Sequence, residues 1–381
     1  MQQFNFSDVT MPAGAAALRE DVRAFLRAEL ATRTSVQRAQ SWMGFDAGFS
    51  RKLGRRGWIG MVWPKRYGGQ ERSALERYVV LEELLAAGAP VAAHWIADRQ
   101  SGPLLLRFGT EEQRARFLPA IARGEHFFCI GFSEPGAGSD LAAVRTRARR
   151  EPGGWRVNGS KLWTTLADRA HTMIALVRTS GEADSRHGGL SQMLIDLSGQ
   201  GVTVRPVMDM AGERHFNEVV FDDAWVGDDM LVGREGEGWQ QATAELSLER
   251  SGPERYLSSF QLMLELLVAA GPKPSEAVRL LVGELTAELW TLRQMSLSIA
   301  AQLASGLDPA VEAAIVKDLG ASFEQRLPSA VQAILDDDLG TRNPALRPVM
   351  DFLLQTSPSF SLRGGTREIL RGIIARGLGL R

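Results

Sequence analysis

Three short stretches of this chain hold residue types that can do chemistry. The first reads Phe132-Ser133-Glu134-Pro135-Gly136-Ala137-Gly138-Ser139-Asp140. Two glycines and a serine at a turn can bring backbone N–H groups close to an anion. A glycine-rich connector between domains is the plainer reading of the same letters. The run is neither a Gly-Lys-Ser/Thr phosphate loop nor a G-x-G-x-x-G turn. The second stretch is Asn158-Gly159-Ser160-Lys161-Leu162-Trp163-Thr164-Thr165. On a strand, Trp163 and Thr165 stand two apart and share a face. Such a face can hold a planar ring, with Trp163 stacking and Thr165 donating a hydrogen bond; core packing of Trp163 is the alternative. The third is Gly364-Gly365-Thr366-Arg367-Glu368, an ordinary helix start when taken alone.

Composition removes several other chemistries. With 381 residues, the chain has room for two to three domains at about 150 residues each. Its 44 basic and 45 acidic residues give a net charge of −1, so no field is present to hold a nucleic-acid backbone or an anionic membrane. Cys129 is alone, which excludes an intrachain disulfide and a thiolate cluster. The five histidines lack ligand spacing, and no metal is expected. Asp8, Glu20 and Asp21 interrupt the N-terminal stretch, which does not read as a secretory signal. No uncharged run exceeds 14 residues; Leu84 to Ala97 is that long and is interrupted by Pro90 and His94. A membrane span needs about 18. A soluble cytoplasmic protein is the expectation.

The elements that must position the three stretches follow from periodicity. Residues 1–124 read as a helical domain: Leu18, Val22, Phe25, Leu26 and Leu30 keep a 3.6-residue stripe, and Glu76 to Ala87 repeats the style. Thr110 with Gln113 forms a capping-box start, and Gly124 is a stop. Residues 125–232 read as a central β domain, a small barrel or sandwich. Its expected strands lie at Trp155 to Val157, His171 to Val177, Gln192 to Leu197, Val202 to Pro206 and Asn217 to Phe221, with Asn158-Gly159 as a hairpin turn. Residues 233–381 read as a C-terminal helical bundle, with Asp336 to Ser361 partly looped and a last helix from Thr366 to Arg376. The fold class is α+β multidomain.

The three stretches, in this order, resemble the acyl-CoA dehydrogenase family, as does Phe221-Asp222-Asp223 through Leu231 to Trp239. The likeness covers nearly the whole chain. It implies FAD as cofactor and α,β-dehydrogenation of an acyl-CoA, in which a carboxylate takes the α-proton while a hydride moves from Cβ to flavin N5. By match, Phe132 and Ser133 contact the flavin ring, Trp163 covers it and Thr165 donates near N5. Gly138 and Ser139 meet the pyrophosphate, or Ser139 the acyl-CoA; Thr366 and Glu368 meet the adenosine portion. The usual base stands where this chain has Gly364, which cannot take a proton, though its N–H can serve the thioester oxygen. The alternative position of the isovaleryl-type members matches Glu249, with Arg250 on the CoA side. That placement accompanies branched or bulky acyl groups, so a branched, aromatic or steroid-derived acyl-CoA is expected.

The chain departs from the family in two places. Most members carry Arg-x-x-Phe-Gly, whose Arg reaches a neighbour's FAD, where this chain reads Val268-Ala269-Ala270-Gly271-Pro272-Lys273-Pro274. The Gln and Gly-Gly loop of the family becomes Gln332 followed later by Asp336-Asp337-Asp338. The resemblance thus implies either a homo-oligomer, the usual tetramer, with altered contacts or an α2β2 heterotetramer with a sister chain, and an electron-transferring flavoprotein as acceptor. Two competing functions are a non-catalytic or half-site partner subunit and a flavin monooxygenase or oxidase on the same fold.

Overall fold

Capping side chains start the helices where the sequence places them. In the computed structural model, which describes residues 4–181, 186–248 and 252–380, seven helices precede the strands. They are α1 (Ala15–Glu29), α2 (Ser35–Gln40), α3 (Ala47–Arg55), α4 (Ala74–Ala86), α5 (Ala92–Ile96), α6 (Gly102–Phe108) and α7 (Glu111–Ala122). The strands are β1 (Phe128–Gly131), β2 (Arg147–Glu151), β3 (Gly154–Thr165), β4 (Thr172–Arg178), β5 (Leu190–Asp196), β6 (Val202–Val207), β7 (Phe216–Gly227) and β8 (Leu231–Val232). Then come α8 (Gly238–Leu248), α9 (Phe260–Ala270), α10 (Glu276–Ala304), α11 (Ala310–Ile334), α12 (Asp337–Arg342), α13 (Leu346–Thr356) and α14 (Arg367–Gly377). Thr110 closes both halves of its capping box on α7, and Gly124 stops the chain at φ +68°.

The described chain divides into two compact units. One comprises Met1–Phe45, Arg72–Val91 and Arg250–Arg381. Its α1 buries Val22, Phe25 and Leu26, each worth about 1.5–3 kcal/mol when fully removed from water. Helix α4 is apolar on most sides, and even Glu82 and Glu83 are buried. Arg19, Arg23 and Arg293 neutralise them, Arg293 donating Nε to Glu82 at 2.6 Å. The expected loop at 336–361 is corrected in part, because α12 and α13 occupy much of it. The triple aspartate has a structural job there: Asp336 Oδ1 accepts the Leu339 N–H at 2.8 Å as N-cap, and Asp337 and Asp338 sit in the first turn.

The other unit comprises Asp46–Glu71 and Ala92–Glu249. Its centre is one mixed sheet in the order β6-β7-β3-β2-β4-β5-β8, with β1 beside β4. The sheet curls about a single core that includes Cys129, Trp155, Val157, Met173, Ala175, Met193, Ile195, Val219 and Phe221. The β1–β4 and β2–β4 pairings are parallel; the rest are antiparallel.

Asn158-Gly159 is not the hairpin turn. It lies inside β3, where the register against β7 shifts between Val157 and Gly159. Gly159 takes φ +139°, and a Cβ there would stand 2.8 Å from the Thr146 Cα. Asn158 and Asp223 exchange hydrogen bonds across the bulge, the Asn158 amide donating at 3.1 Å and the Asp223 N–H at 2.9 Å. The β2–β3 turn is instead Pro152-Gly153, with Glu151 opposite Gly154. A positive φ suits a bulge as well as a turn, so the dipeptide alone does not decide between them.

Candidate active site

A second bulge in β3 turns the aromatic side chain out. The register shifts again between Lys161 and Thr164, so Leu162 and Trp163 together face one residue of β7. Trp163 is held at φ +61° and is 57% exposed; Thr165 is half-buried and Thr164 between them is buried. A bulky side chain in the left-handed region costs about 1–3 kcal/mol and persists at functional sites. The Phe216 ring meets Trp163 edge-on at 6.0 Å.

The 132–140 segment is pinned beside this aromatic. The Leu162 N–H donates to Ser133 O at 2.9 Å, and Glu134 and Ala137 close a tight turn by exchanging N–H···O bonds of 2.8 and 3.1 Å. Glu134 points inward. Its carboxylate accepts the N–H groups of Arg145 and Thr146 at 2.7 and 3.0 Å, and Lys161 Nζ at 2.7 Å. Lys161 is fully buried and also donates to Phe132 O and Leu176 O. Burial pulls the Lys161 ammonium down to about 8, against the pull of Glu134. Burial pushes Glu134 up, but the Lys161 charge and the donated hydrogen bonds outweigh it and hold the carboxylate below its usual range.

With Glu134 turned in, this face offers hydroxyls and an aromatic plane. Phe132 is buried and Ser133 half-buried; Gly138 and Ser139 are exposed. A Cβ on Gly136 or Gly138 would meet nothing within 4 Å. Asp140 pairs with Arg186 at 2.9 Å. An open, glycine-containing loop beside an exposed indole fits a planar heteroaromatic cofactor that carries phosphates.

In the other unit, Gly364 (φ +67°) and Gly365 (φ +100°) lead into α14. Thr366 is the N-cap by backbone conformation, and its side chain makes no cap bond to the first turn. The exposed Glu368 carboxyl in the first turn lies below the usual carboxylate range, its own N–H being the largest cause and the Thr366 hydroxyl the next. Asp318 on α11 anchors α14 by accepting Arg367 Nε at 2.6 Å. Glu249 and Arg250 lie outside the described residues.

Glu134 and Lys161 stand inside the motif stretches, but the sequence pattern alone assigns them no role. A lysine amid strand residues, opposite a glutamate in a Gly-Pro turn, was the available signal. A cavity of about 990 Å³ elsewhere in the sheet unit, among Arg116, His126, His171, Asp196 and Trp225, contains none of the expected residues. Burial, then the neighbouring His171, lowers His126 there to about 4. Among the described residues no group of three His, Cys, Asp or Glu side chains could hold a metal, and no helix is long and apolar enough to cross a membrane.

Comparison with known proteins agrees with this geometry. Residues 13–125 match the acyl-CoA dehydrogenase N-terminal domain and residues 129–224 the middle domain. The acyl-CoA dehydrogenase IpdE1 of Mycobacterium tuberculosis (strain ATCC 25618 / H37Rv) is 35% identical over 339 residues, 87% of each chain. Among solved structures, a chain of the Tcur3481-Tcur3483 steroid ACAD superposes with TM-score 0.88 at 27% identity, covering 98% of this chain and 100% of that one. A chain of the ChsE4-ChsE5 complex from Mycobacterium tuberculosis gives 0.84 at 30%, with 98% and 100% covered. This chain belongs to the acyl-CoA dehydrogenase family, and is an oxidoreductase whose cofactor is FAD.

Proposed function

We propose that this chain dehydrogenates the α,β-bond of a bulky, steroid-type acyl-CoA thioester, with Glu249 as the base. Position 364 carries the reading: where the family's usual base stands, this chain has a glycine at φ +67°, and Glu249 is the carboxylate that matches the alternative. The likeness to the Tcur3481-Tcur3483 steroid ACAD supports the bulky acyl group.

When bound, FAD supplies the hydride acceptor. Phe132, Ser133, Trp163 and Thr165 would hold its ring, Gly138 and Ser139 its pyrophosphate, and Thr366 and Glu368 its adenosine end. Ser139 and Arg250 would also serve the CoA side of the substrate. The α-proton passes to the Glu249 carboxylate, and the Cα–Cβ double bond forms as the Cβ hydride leaves. The Gly364 N–H would stabilise charge that grows on the thioester oxygen. A carboxylate does this work best when its pKa is tuned by a partly desolvated setting.

The assembly we propose is an α2β2 heteromer in which a sister chain lends the contacts this one lacks, with an electron-transferring flavoprotein as acceptor. The stretch 271–275 is a plain connector, Gly271 at φ +61° and Ser275 capping α10, and the aspartates at 336–338 start α12. Neither offers an arginine to a neighbour's cofactor. The ChsE4-ChsE5 complex gives the arrangement a precedent by likeness.

A visible spectrum followed by anaerobic titration tests both parts. Purified alone and desalted, the chain is expected to hold less than one FAD, and full content would remove the heteromer. Flavin-loaded protein should bleach faster with cholan-24-oyl-CoA than with octanoyl-CoA. Bleaching by octanoyl-CoA alone would remove the bulky substrate, and bleaching by neither would remove the dehydrogenase.

Trp163→Gly separates strain from binding. Glycine at φ +61° relieves about 1 kcal/mol or more of backbone strain, and little buried area is lost. The cofactor-free variant should melt at or above the parent temperature. Its FAD affinity should fall roughly 2- to 10-fold, the loss of one aromatic contact. A lower melting point with unchanged affinity would assign Trp163 to packing.

A further inference from the structure

Arg363 immediately precedes Gly364, and its side chain is held from several directions. Its Nη2 donates to Glu324 Oε2 at 3.0 Å, Ser258 Oγ at 2.7 Å and Glu254 O at 3.1 Å. The guanidinium lies over the Trp42 ring at 4.1 Å and the Phe360 ring at 4.7 Å. The Glu324 side chain, on α11, is 1% exposed. Its other oxygen accepts the Ser258 N–H at 2.7 Å, and its carbonyl accepts the Ser259 hydroxyl at 2.9 Å.

One buried carboxylate therefore grips two segments at once. The first is 254–259, which follows Glu249 in the chain. The second is the loop that carries Gly364. The remainder of α11 supports that loop from either side: Lys317 Nζ donates to Phe360 O at 3.0 Å, and Gln325 Nε2 to Ser357 O, Pro358 O and Ser361 Oγ at 3.0–3.2 Å. Asp318 holds Arg367 just beyond. The two glycines have no side chain to anchor them, and Arg363, immediately before them, is tied to the protein interior.

We infer that Arg363, through Glu324 and Ser258, is a positioning residue that sets the Gly364 N–H relative to the segment leaving Glu249. This rests on the reading of Glu249 and Gly364 given above. In most of the family the base itself occupies position 364, so base and thioester donor share one loop. Here they are assigned to two segments, and something must hold those segments in register. A planar guanidinium suits this: it bonds in a fixed fork and stacks on aromatic rings, which a lysine ammonium cannot copy. An error of about 1 Å in such a placement can cost about 100-fold in rate.

The test compares Arg363→Lys, Arg363→Met and Glu324→Gln with the parent in the flavin-loaded full chain, assembled with its sister chain. Turnover of cholan-24-oyl-CoA with ferrocenium as acceptor gives kcat and KM. Hydrogen exchange of peptides spanning 253–259 and 357–366 needs no substrate. Arg363→Lys is expected to lower kcat about 10- to 100-fold with KM and FAD content within about 2-fold, and to speed exchange in those two peptides only. Unchanged exchange in both peptides overturns the proposal. So does a rate loss that disappears when scaled to the folded fraction, or exchange that rises evenly across the unit. If Arg363→Met fails to fold, the lysine variant decides. Loss of the Glu249 assignment is read separately: a Glu249→Gln protein with parental kcat removes that role, whatever the exchange at Arg363 shows.

Discussion

Glu249→Gln is expected to keep its flavin and to lose about 100- to 10,000-fold in kcat, the usual contribution of a positioned general base. Glutamine preserves shape and hydrogen-bonding reach while removing the ability to take a proton. The size of the effect follows from the absence of a substitute. Gly364 has no side chain, and its φ of +67° makes any larger residue there strained. Glu134, an acid of the 132–140 stretch, is turned inward and committed to Lys161 and two backbone N–H groups. Glu368 is exposed on the first turn of α14, and its carboxyl is held below the usual carboxylate range, first by its own N–H. Two measurements check the expectation: kcat with an artificial acceptor, and washout of deuterium from the substrate α-carbon without one. Washout at the parental rate would move the base to another residue. A lost rate with washout intact would place the defect after proton removal.

The second large effect is on stability. Lys161→Met should destabilise the sheet unit by about 3–5 kcal/mol, because it strands a buried carboxylate. The lysine is fully buried and joins Glu134, Phe132 O and Leu176 O, so one side chain ties the 132–134 segment to β3 and β4. Methionine fills similar volume and isolates the loss of charge and donors. For a unit of this size the melting temperature should fall by about 10 °C, at about 2–4 °C per kcal/mol.

The pH dependence has a definite sign. Glu134 titrates below its ordinary value of 4.5 in the folded protein, so the unfolded chain binds more protons near that pH. Its contribution is present above 4.5 and is lost as pH falls through the folded value. In the methionine variant burial acts on Glu134 without the lysine charge, which raises the carboxyl and makes protonation favour folding. The gap between parent and variant should therefore begin to narrow above 4.5, where the variant's raised carboxyl takes its proton, and narrow further below 4.5, where the parent loses its own contribution. A gap that is constant from pH 7 to pH 4 would mean the pair contributes packing alone. Tm measured by near-ultraviolet circular dichroism at each pH reads this directly.

Much of the fold was legible because it is written locally. The Thr110–Gln113 box and Gly124 act within a single helical turn, so their sequence signature and their structure coincide. The strands at 172–178 and 202–207 announce themselves by β-branched residues, Thr172, Ile174 and Val177 in the first and Val202, Thr203, Val204 and Val207 in the second. Asn158-Gly159 shows the limit of local reading. Its preference for positive φ was real, but Asp223, far along the chain, is what makes it a bulge within β3 and not a turn. The aspartates at 336–338 are a helix start, because the Leu339 N–H needs an acceptor.

The three motif stretches, their order and the glycine at position 364 are legible from the chain alone, since these are matters of which residue stands where. Only the tertiary structure decided how those residues are held. It turned Trp163 outward by a bulge, turned Glu134 inward onto Lys161, and placed Arg363 between Trp42, Phe360 and Glu324. The reason is physical: a buried charge is tolerated only beside its partner, and the partner is chosen by the packing of distant segments, which no local preference of the chain encodes.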